Sequence, residues 1–340
     1  MAIYNQNRIL ELDAMRGIAA ISVVLFHFTM GNSFAFRQGG TGVDLFFIIS
    51  GFVISLTLAK TNSWNDFAVN RLSRLYPTYW VVVSFTAIIS IFSGIAVTFP
   101  QYLANLTMFQ SYFNIDDIDW PYWTMMVEMI FYICMIILFT TKTLQHIEFL
   151  GLAFVALLIP VHSTYILTNY PGYHRALISW FPMVVYFPLF FSGIIFYRIK
   201  FMKPTVFRYV LIGLCFVVQF WMFRDGFRRT FTLTRLEYLI MLSIWYSLFL
   251  LYVNNKLGFL INRLTIFLGA ISFSLYLVHQ FIGLHILLPF LKLTLKLNNY
   301  VSITISLSIV ILLAYIIQIL IEKPSMNFIR KKYTLFKQNK

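Results

Sequence analysis

The chain has 340 residues, of which 60% are hydrophobic and 11% are charged, less than half the charged fraction of an average soluble domain. Its formal net charge of +14 would suit a nucleic-acid ligand. Because the chain is so apolar, however, the excess of Lys and Arg is better explained by loops that face anionic lipid headgroups. Composition therefore excludes a soluble globular domain and predicts an all-α, polytopic integral membrane protein without a nucleic-acid partner.

Ten apolar runs approach or exceed the roughly 20 residues that a membrane-spanning helix needs. The first run is too long, and its polar lead too poor in basic residues, for a cleavable signal, so we expect it to remain as a span. We expect one transmembrane domain over residues 1–340, with a basic tail at 324–340 that anchors to headgroups and no appended soluble domain. The predicted spans are 14–34, 42–60, 77–98, 123–141, 147–168, 178–198, 209–223 (the shortest), 236–254, 267–290 and 300–321.

The distribution of Lys and Arg predicts that both termini are cytoplasmic. In that orientation 17 of the 26 basic residues lie in inner segments and 8 in outer ones, with Arg16 at a membrane edge. The outer loop 224–235 goes against the rule, which makes it either a miscounted span or a binding surface. Cys134 and Cys215 lie in apolar runs without metal-ligand spacing and are expected to be buried hydrophobic residues.

The first span carries two ionisable side chains on one face. Arg16 and His27 are eleven positions apart, which is about three helical turns and about 16 Å of height. Asp13 lies one turn before Arg16 and is expected to pair with it. Ionisable groups inside a span are costly, so this stripe indicates a polar channel or pocket. His27 is equally consistent with a core histidine that donates to a neighbouring helix.

Charged residues also lie near the ends of the next two spans. Asp44, in the first turn of the second span, belongs either to a polar site or to the favourable charge at a helix N-terminus. Residues 62–76 have apolar side chains at helical spacing and predict an interfacial helix that meets the third span at Pro77. On this helix Arg71 and Arg74 suit a phosphate-bearing ligand, and they suit lipid headgroups equally well.

The fourth and ninth spans carry further polar residues. Thr124, Glu128 and Tyr132 fall on one face of the fourth span. Glu128 and His27 both lie roughly 8–10 Å from the outer boundary, so we expect them to meet. A carboxylate beside an imidazole raises its basicity, as a general base requires, although a purely structural hydrogen bond is the alternative. His279 is a second intramembrane histidine. The longest predicted outer loop, 99–122, carries the acidic residues Asp116, Asp117 and Asp119.

These blocks together resemble the membrane-bound acyltransferase-3 family. Arg16 followed by His27 resembles the family's signature of an arginine, ten residues and a histidine. Further blocks resemble those of the family in the same order, at 42–52, 67–77, 123–132, 272–279 and 322–324. The resemblance covers nearly the whole chain and implies a multi-pass protein of the bacterial inner membrane with ten spans and cytoplasmic termini.

The resemblance implies an O-acyltransferase that moves an acyl group from cytoplasmic acyl-CoA, usually acetyl-CoA, to a hydroxyl of an extracytoplasmic or lipid-linked surface glycan, without a metal. Some members of the family carry an additional hydrolase-like domain, which leaves open whether a partner completes the transfer. The catalytic residues implied are His27, as general base or acyl carrier, with Glu128, Arg16 and Asp13. Those implied for acyl-CoA are Arg16, Arg71, Arg74 and Tyr76, and those for the acceptor are Asp44, Trp123, Thr124, Tyr132 and His279.

A proton-coupled transporter or channel is the alternative from another class, because it too needs buried His, Glu and Arg along one path. A structural membrane subunit gives no reason for so many buried ionisable groups. The sequence leaves open the acceptor sugar and its hydroxyl, the acyl chain, and the choice between a general base and an acyl-histidine. It also leaves open whether the chain forms a homo-oligomer or works with an envelope-assembly partner.

Overall fold

A computed structural model describes residues 9–29, 36–223 and 233–338. Within these ranges the protein contains helices and no β-strand, which confirms the predicted all-α class. The α-helices are α1 (Leu10–Thr29), α2 (Gly42–Leu58), α3 (Trp64–Phe92), α4 (Phe99–Leu106), α5 (Trp123–Thr140), α6 (Ile147–Val161), α7 (Thr164–Asn169), α8 (Pro171–Trp180), α9 (Met183–Phe201), α10 (Val206–Met222), α11 (Arg235–Val253), α12 (Arg263–Val278), α13 (Asn299–Ile317) and α14 (Lys323–Gln338).

The described residues contain nine helical stretches that are long and apolar enough to cross a membrane. The apolar helix α10, with 17 residues, is shorter and corresponds to the shortest predicted span. The prediction of a multi-pass membrane protein is therefore confirmed. Most of the basic loop 224–235 and the predicted end of the first span, 30–34, lie outside the described residues. The nine stretches are Leu10–Thr29, Arg37–Leu58, Trp64–Phe92, Trp120–Thr140, Leu144–Val161, Met183–Phe201, Arg235–Val253, Arg263–Thr294 and Asn299–Gln338.

The third span differs from the prediction at its start. Instead of an interfacial helix that meets a span at Pro77, α3 is one 29-residue helix that continues through this proline. Ser63 caps its N-terminus by accepting a hydrogen bond from the N–H of Asp66 at 3.2 Å. A proline removes one backbone donor from a helix, but the sequence cannot show whether packing on either side keeps the helix intact.

The chain folds into two compact units, and α1, α5 and α12 each contribute residues to both. The first unit contains α1 as far as Phe26, then Ser33–Lys60, and then the long segment Ile130–Gly269. The second contains the last turn of α1 from His27, then Thr61–Met129, and the chain from Ala270 onwards.

In the first unit α2 and α9 pack with their backbones in contact. A Cβ atom on Gly51 would lie 2.0 Å from the carbonyl oxygen of Phe190, and one on Gly193 would lie 2.0 Å from that of Ile48. Small residues permit this approach, which is how helices associate in lipid, where apolar burial alone gives little driving force. The two glycines therefore fix how α2 packs on α9.

The substitution Gly51→Ala is expected to destabilise the protein by about 3 kcal/mol or more, because the new methyl group meets backbone atoms that cannot rotate away. The measurement is the thermal unfolding midpoint in detergent. Gly213→Ala on α10 makes the same chemical change where no atom lies within 4 Å, and it should leave the midpoint unchanged or slightly raised. Equal midpoints for the two variants would contradict this account of the packing.

In the second unit the segment 99–122, predicted as the longest outer loop, contains α4 and folds back along α3. The indole N–H of Trp80 donates to the carbonyl of Leu106 at 2.9 Å, and the hydroxyl of Tyr76 donates to that of Thr107 at 3.0 Å. Trp80 is exposed and Tyr76 is half-buried, and the backbone of this segment supplies an acceptor for the polar atom of each side chain. The segment thus reaches the level of α3 at which Tyr76 lies.

Candidate active site

Two buried histidines of the second unit face each other. His27 lies in the last turn of α1, and His279 begins a π-helical segment, His279–Leu287, that continues α12. Their ring centroids are 5.1 Å apart with the planes tilted by 52°. The edge of the Trp120 indole packs against His27, with 6.1 Å between the centroids. The sequence predicted both histidines in a polar site, and the structure brings their rings together.

The tautomer of His279 follows from its hydrogen bond. Its Nδ1 lies 2.7 Å from the carbonyl oxygen of Tyr276, and because a carbonyl oxygen only accepts, Nδ1 carries the proton. Nε2 therefore presents its lone pair, and this buried atom has no hydrogen-bond partner within residues 9–29, 36–223 and 233–338. A neutral imidazole held in one orientation by a carbonyl is suited to take a proton from a hydroxyl.

The π-helical segment brings an unusual backbone to this site. A π-helix has i→i+5 hydrogen bonds, is rare at this length, and often marks a functional position. The Phe28 ring, next to His27 in sequence, packs so closely that a Cβ on Gly283 would lie 2.3 Å from its Cζ. Ser306 on α13 donates to the Gly283 carbonyl at 3.0 Å. Packing from α1 and a hydrogen bond from α13 thus support the altered helix.

Asp119 joins the segment 99–122 to this π-helix. Its side chain is 3% exposed and accepts a hydrogen bond from the N–H of Phe281 at 3.1 Å. Trp120 follows directly, so this contact holds the indole that packs on His27. Burial raises the pKa of the Asp119 carboxyl to about 7, although the N–H groups of Phe281 and Trp120 act in the opposite direction. Sequence reasoning noted this residue only as one of three loop aspartates.

Asp119→Asn should remove a pH dependence of stability, because asparagine keeps an acceptor for the Phe281 N–H but does not titrate. A carboxyl whose pKa rises from 3.8 to about 7 on folding binds its proton more tightly in the folded state. Its contribution to stability is fully present below about pH 4 and is lost as the pH rises to 7. We expect the difference in unfolding midpoint between the wild type and the variant to decrease as the pH rises from about 4 to about 7, and to be constant above that.

The neighbouring carboxyl of Asp117, whose pKa burial raises to about 6, titrates in both proteins, and its charge adds to the rise of the Asp119 pKa. The difference between the two midpoints therefore reports Asp119 together with its interaction with Asp117. A constant difference between the two midpoints across this range would contradict the assignment to Asp119.

Two predicted acceptor residues lie close to this pair. The hydroxyl of Thr124 donates to the carbonyl of Pro121 at 2.9 Å and lies 3.1 Å from the hydroxyl of Tyr276. The Tyr276 ring in turn packs 5.5 Å from the ring of His279. Trp123 is partly exposed beside Thr124 at the start of α5.

The remaining residues of the predicted stripe on α5 follow Thr124. Glu128 is half-buried one turn later, and Tyr132 is buried a further turn on, in the part of α5 that belongs to the first unit. The ring partners that we observe for His27 are His279 and Trp120. The pairing of His27 with Glu128 stays a prediction.

In the first unit Asp13 and Arg16 form the expected ion pair, with 3.7 Å between Arg16 Nη1 and Asp13 Oδ1. The backbone of α12 lies against this part of α1, since a Cβ on Gly269 would be 2.0 Å from the Asp13 carbonyl oxygen. Asp44 is fully buried in the first turn of α2. These positions fix the three side chains but do not by themselves assign a role to them.

The residues predicted to bind acyl-CoA lie in the first half of α3. Arg71 is buried, with its guanidinium carbon 5.9 Å from the centre of the Phe67 ring, and Arg74 is half-buried one turn later. The hydroxyl of Tyr76 donates a hydrogen bond to the Thr107 carbonyl, so Tyr76 makes a structural contact in addition to any part in binding.

Residues 9–322 match the acyltransferase-3 family, which is described as an acyltransferase domain. The chain belongs to this family. The predicted family and the acyltransferase class of enzyme are therefore confirmed. No solved structure matches the chain.

Three curated relatives show what kinds of protein the chain is similar to. It is 30% identical over 117 residues to the exopolysaccharide production protein ExoZ of Rhizobium meliloti, which covers 32% of this chain and 37% of that protein. It is 31% identical over 110 residues to the peptidoglycan O-acetyltransferase OatA of Listeria monocytogenes, a match that covers 30% of this chain and 16% of that protein. It is 30% identical over 145 residues to the putative peptidoglycan O-acetyltransferase YrhL of Bacillus subtilis, a match that covers 36% of this chain and 22% of that protein. The matches span 16 to 37% of the length of these relatives.

Proposed function

We propose that the protein transfers an acetyl group from cytoplasmic acetyl-CoA to a hydroxyl of a surface or lipid-linked glycan. Membership in the acyltransferase-3 family supports acyl transfer, and the names of the relatives, two of them peptidoglycan O-acetyltransferases, support acetyl as the group and a polysaccharide as the acceptor. The observation that carries the chemistry is the buried imidazole pair of His27 and His279, in which Nε2 of His279 presents a lone pair.

In the proposed reaction the imidazole pair removes the proton of the acceptor hydroxyl as its oxygen attacks the thioester carbonyl. The tetrahedral intermediate then collapses, the carbon–sulfur bond breaks, and the proton passes from the imidazolium to the leaving thiolate of CoA. We take direct transfer as the mechanism. The alternative is an acyl-histidine, which would appear as label bound to the protein when labelled donor is added without acceptor.

The spacing of the predicted binding residues agrees with a long, thin donor. Arg16 and His27 are separated by eleven residues of the continuous helix α1, about 16 Å. In the second unit Arg74 and Thr86 are separated by twelve residues of α3, which is about 18 Å. The hydroxyl of Thr86 lies 3.2 Å from the hydroxyl of Tyr122, which belongs to the same short turn as Trp120. Each of these lengths, taken along its own helix, suits a donor whose phosphates and thioester lie about 16–18 Å apart.

The other assignments are proposed on position. With both termini cytoplasmic, Arg71 and Arg74 hold the phosphates of CoA. Arg16, which is paired with Asp13, lies along the path of the pantetheine arm. Glu128 orients His27. The acceptor contacts Asp44, Trp123, Thr124 and Tyr132.

Mass spectrometry of surface glycans tests this function. Cells that carry the gene should contain glycans with an additional acetyl group, which disappears when the gene is deleted and returns with the wild-type copy. A copy with His27→Ala should not restore it. An unchanged glycan profile on deletion would contradict the proposal.

A further inference from the structure

The C-terminal helix α14 lies against the first half of α3 in the second unit. The sequence predicted the tail 324–340 as a headgroup anchor, but its one arginine, Arg330, contacts protein. Arg330 donates from Nη2 to the backbone carbonyl of Asn70 at 2.8 Å and from Nε to the hydroxyl of Ser73 at 3.2 Å. Both acceptors are uncharged, so the full positive charge of Arg330 is retained at this place.

One and two turns further along α14, contacts reach Asp66. The hydroxyl of Tyr333 donates to Asp66 Oδ1 at 2.9 Å, and Nζ of Lys337 lies 2.8 Å from Oδ2. Because later residues of α14 contact an earlier residue of α3, the two helices run antiparallel. The carboxylate of Asp66 is thereby paired with Lys337 of the tail.

Arg330 therefore lies on the turn of α3 that carries Arg71 and Arg74. Asn70 and Ser73, which hold Arg330, directly precede Arg71 and Arg74 in the sequence, and the charges of both arginines act on Arg330. In the part of the chain that the structure describes, neither Arg74 nor Arg330 forms an ion pair with a carboxylate. The like charges of Arg74 and Arg330 raise the free energy of the empty site, and a bound anion offsets that cost.

We propose that Arg330 joins Arg71 and Arg74 in a binding site for a phosphate ester, and that the docked helix α14 is part of this site. Forked guanidiniums match phosphate oxygens in pairs, and three of them suit a ligand with more than one phosphate group. The inference rests on the proposed function only in expecting that the ligand is CoA. The phosphate of a lipid headgroup offers the same chemistry from another source.

The test is binding of CoA to the purified full-length protein in nanodiscs of zwitterionic lipid, measured by calorimetry. Arg330→Gln is expected to weaken CoA binding about tenfold, the value of one lost charge-assisted contact. It should raise KM for acetyl-CoA by the same factor and leave kcat within about twofold. Arg330→Lys, which keeps the charge but not the fork, should lie between this variant and the wild type.

Lys331→Gln is the matched control, since it removes one charge from the next residue, which is exposed. It should bind CoA as the wild type does. Because Arg330→Gln also removes contacts that hold α14, Arg74→Gln serves as a second variant that leaves these contacts in place, and it should weaken binding equally. If both glutamine variants bind CoA as tightly as Lys331→Gln does, the site is wrong.

A second arm uses nanodiscs that contain phosphatidylglycerol. If the site holds a lipid phosphate, this lipid should lower CoA affinity in the wild type and not in Arg330→Gln, which would support the site and assign it to headgroups.

The arms also separate this inference from the proposed function. Acetyl transfer by a wild type whose CoA binding does not depend on Arg330 overturns only the inference. A wild type that neither binds CoA nor transfers acetyl overturns the function.

Discussion

Replacing His27 with alanine is expected to lower kcat for acetyl transfer by about 10²–10⁴-fold, the usual contribution of a positioned general base. The variant removes one ring of the buried pair whose centroids are 5.1 Å apart, and no other imidazole can take its place on α1. KM for acetyl-CoA should change little, since the proposed phosphate contacts lie on α3. The measurement is steady-state transfer by purified protein, with the folded fraction checked by thermal unfolding.

The matched control for this variant is His146→Ala. His146 is exposed in a short turn before α6, with Nε2 of its ring 3.1 Å from the side-chain nitrogen of Gln145, so its loss should leave kcat unchanged. An active, folded His27→Ala protein would show that the reaction does not need this imidazole.

His279→Phe should lower kcat by about 10²–10³-fold, because it keeps a ring of similar shape against His27 but removes the lone pair of Nε2. If the two histidines act as one unit, the double variant should be scarcely slower than either single one. A structural role for His279 would instead leave kcat near the wild-type value while the unfolding midpoint falls. Rates that multiply in the double variant would show that the two rings act independently.

The membrane-spanning helices were predictable because lipid as a solvent demands long apolar runs, and such runs are visible in the sequence. Contacts made within one helix were equally accessible. The ion pair of Asp13 with Arg16 follows from spacing along α1, and the charge of Asp66 in the first turn of α3 follows from its place after Ser63.

Contacts between distant segments were not predictable. The ring observed against His27 is that of His279, which begins a π-helix that no hydrophobic pattern encodes. The hydrogen bond of Asp119 to Phe281 joins residues 162 positions apart. An aspartate directly before Trp120 in an aromatic-rich segment was the available signal, but only the fold shows its burial.

The tail carries a pattern that indicates a helix packed on protein, although its basic composition suggests contact with lipid. Arg330, Tyr333 and Lys337 recur at intervals of three and four residues, which places them on one face of a helix. A basic stretch beside a membrane suggests headgroups, so the match of this face to Asp66 and Ser73 on α3 emerged only from the structure.

The central claim is that a thioester supplied from the cytoplasm is transferred, through the imidazole pair, to a glycan hydroxyl. Membrane vesicles of both orientations, prepared from cells that make the protein, test it with radiolabelled acetyl-CoA. Inverted vesicles, which expose the cytoplasmic face, should incorporate label into glycan, and sealed right-side-out vesicles should not. The label should be absent with His27→Ala and His279→Phe. Equal labelling of both vesicle types, or undiminished labelling by these variants, would contradict the account.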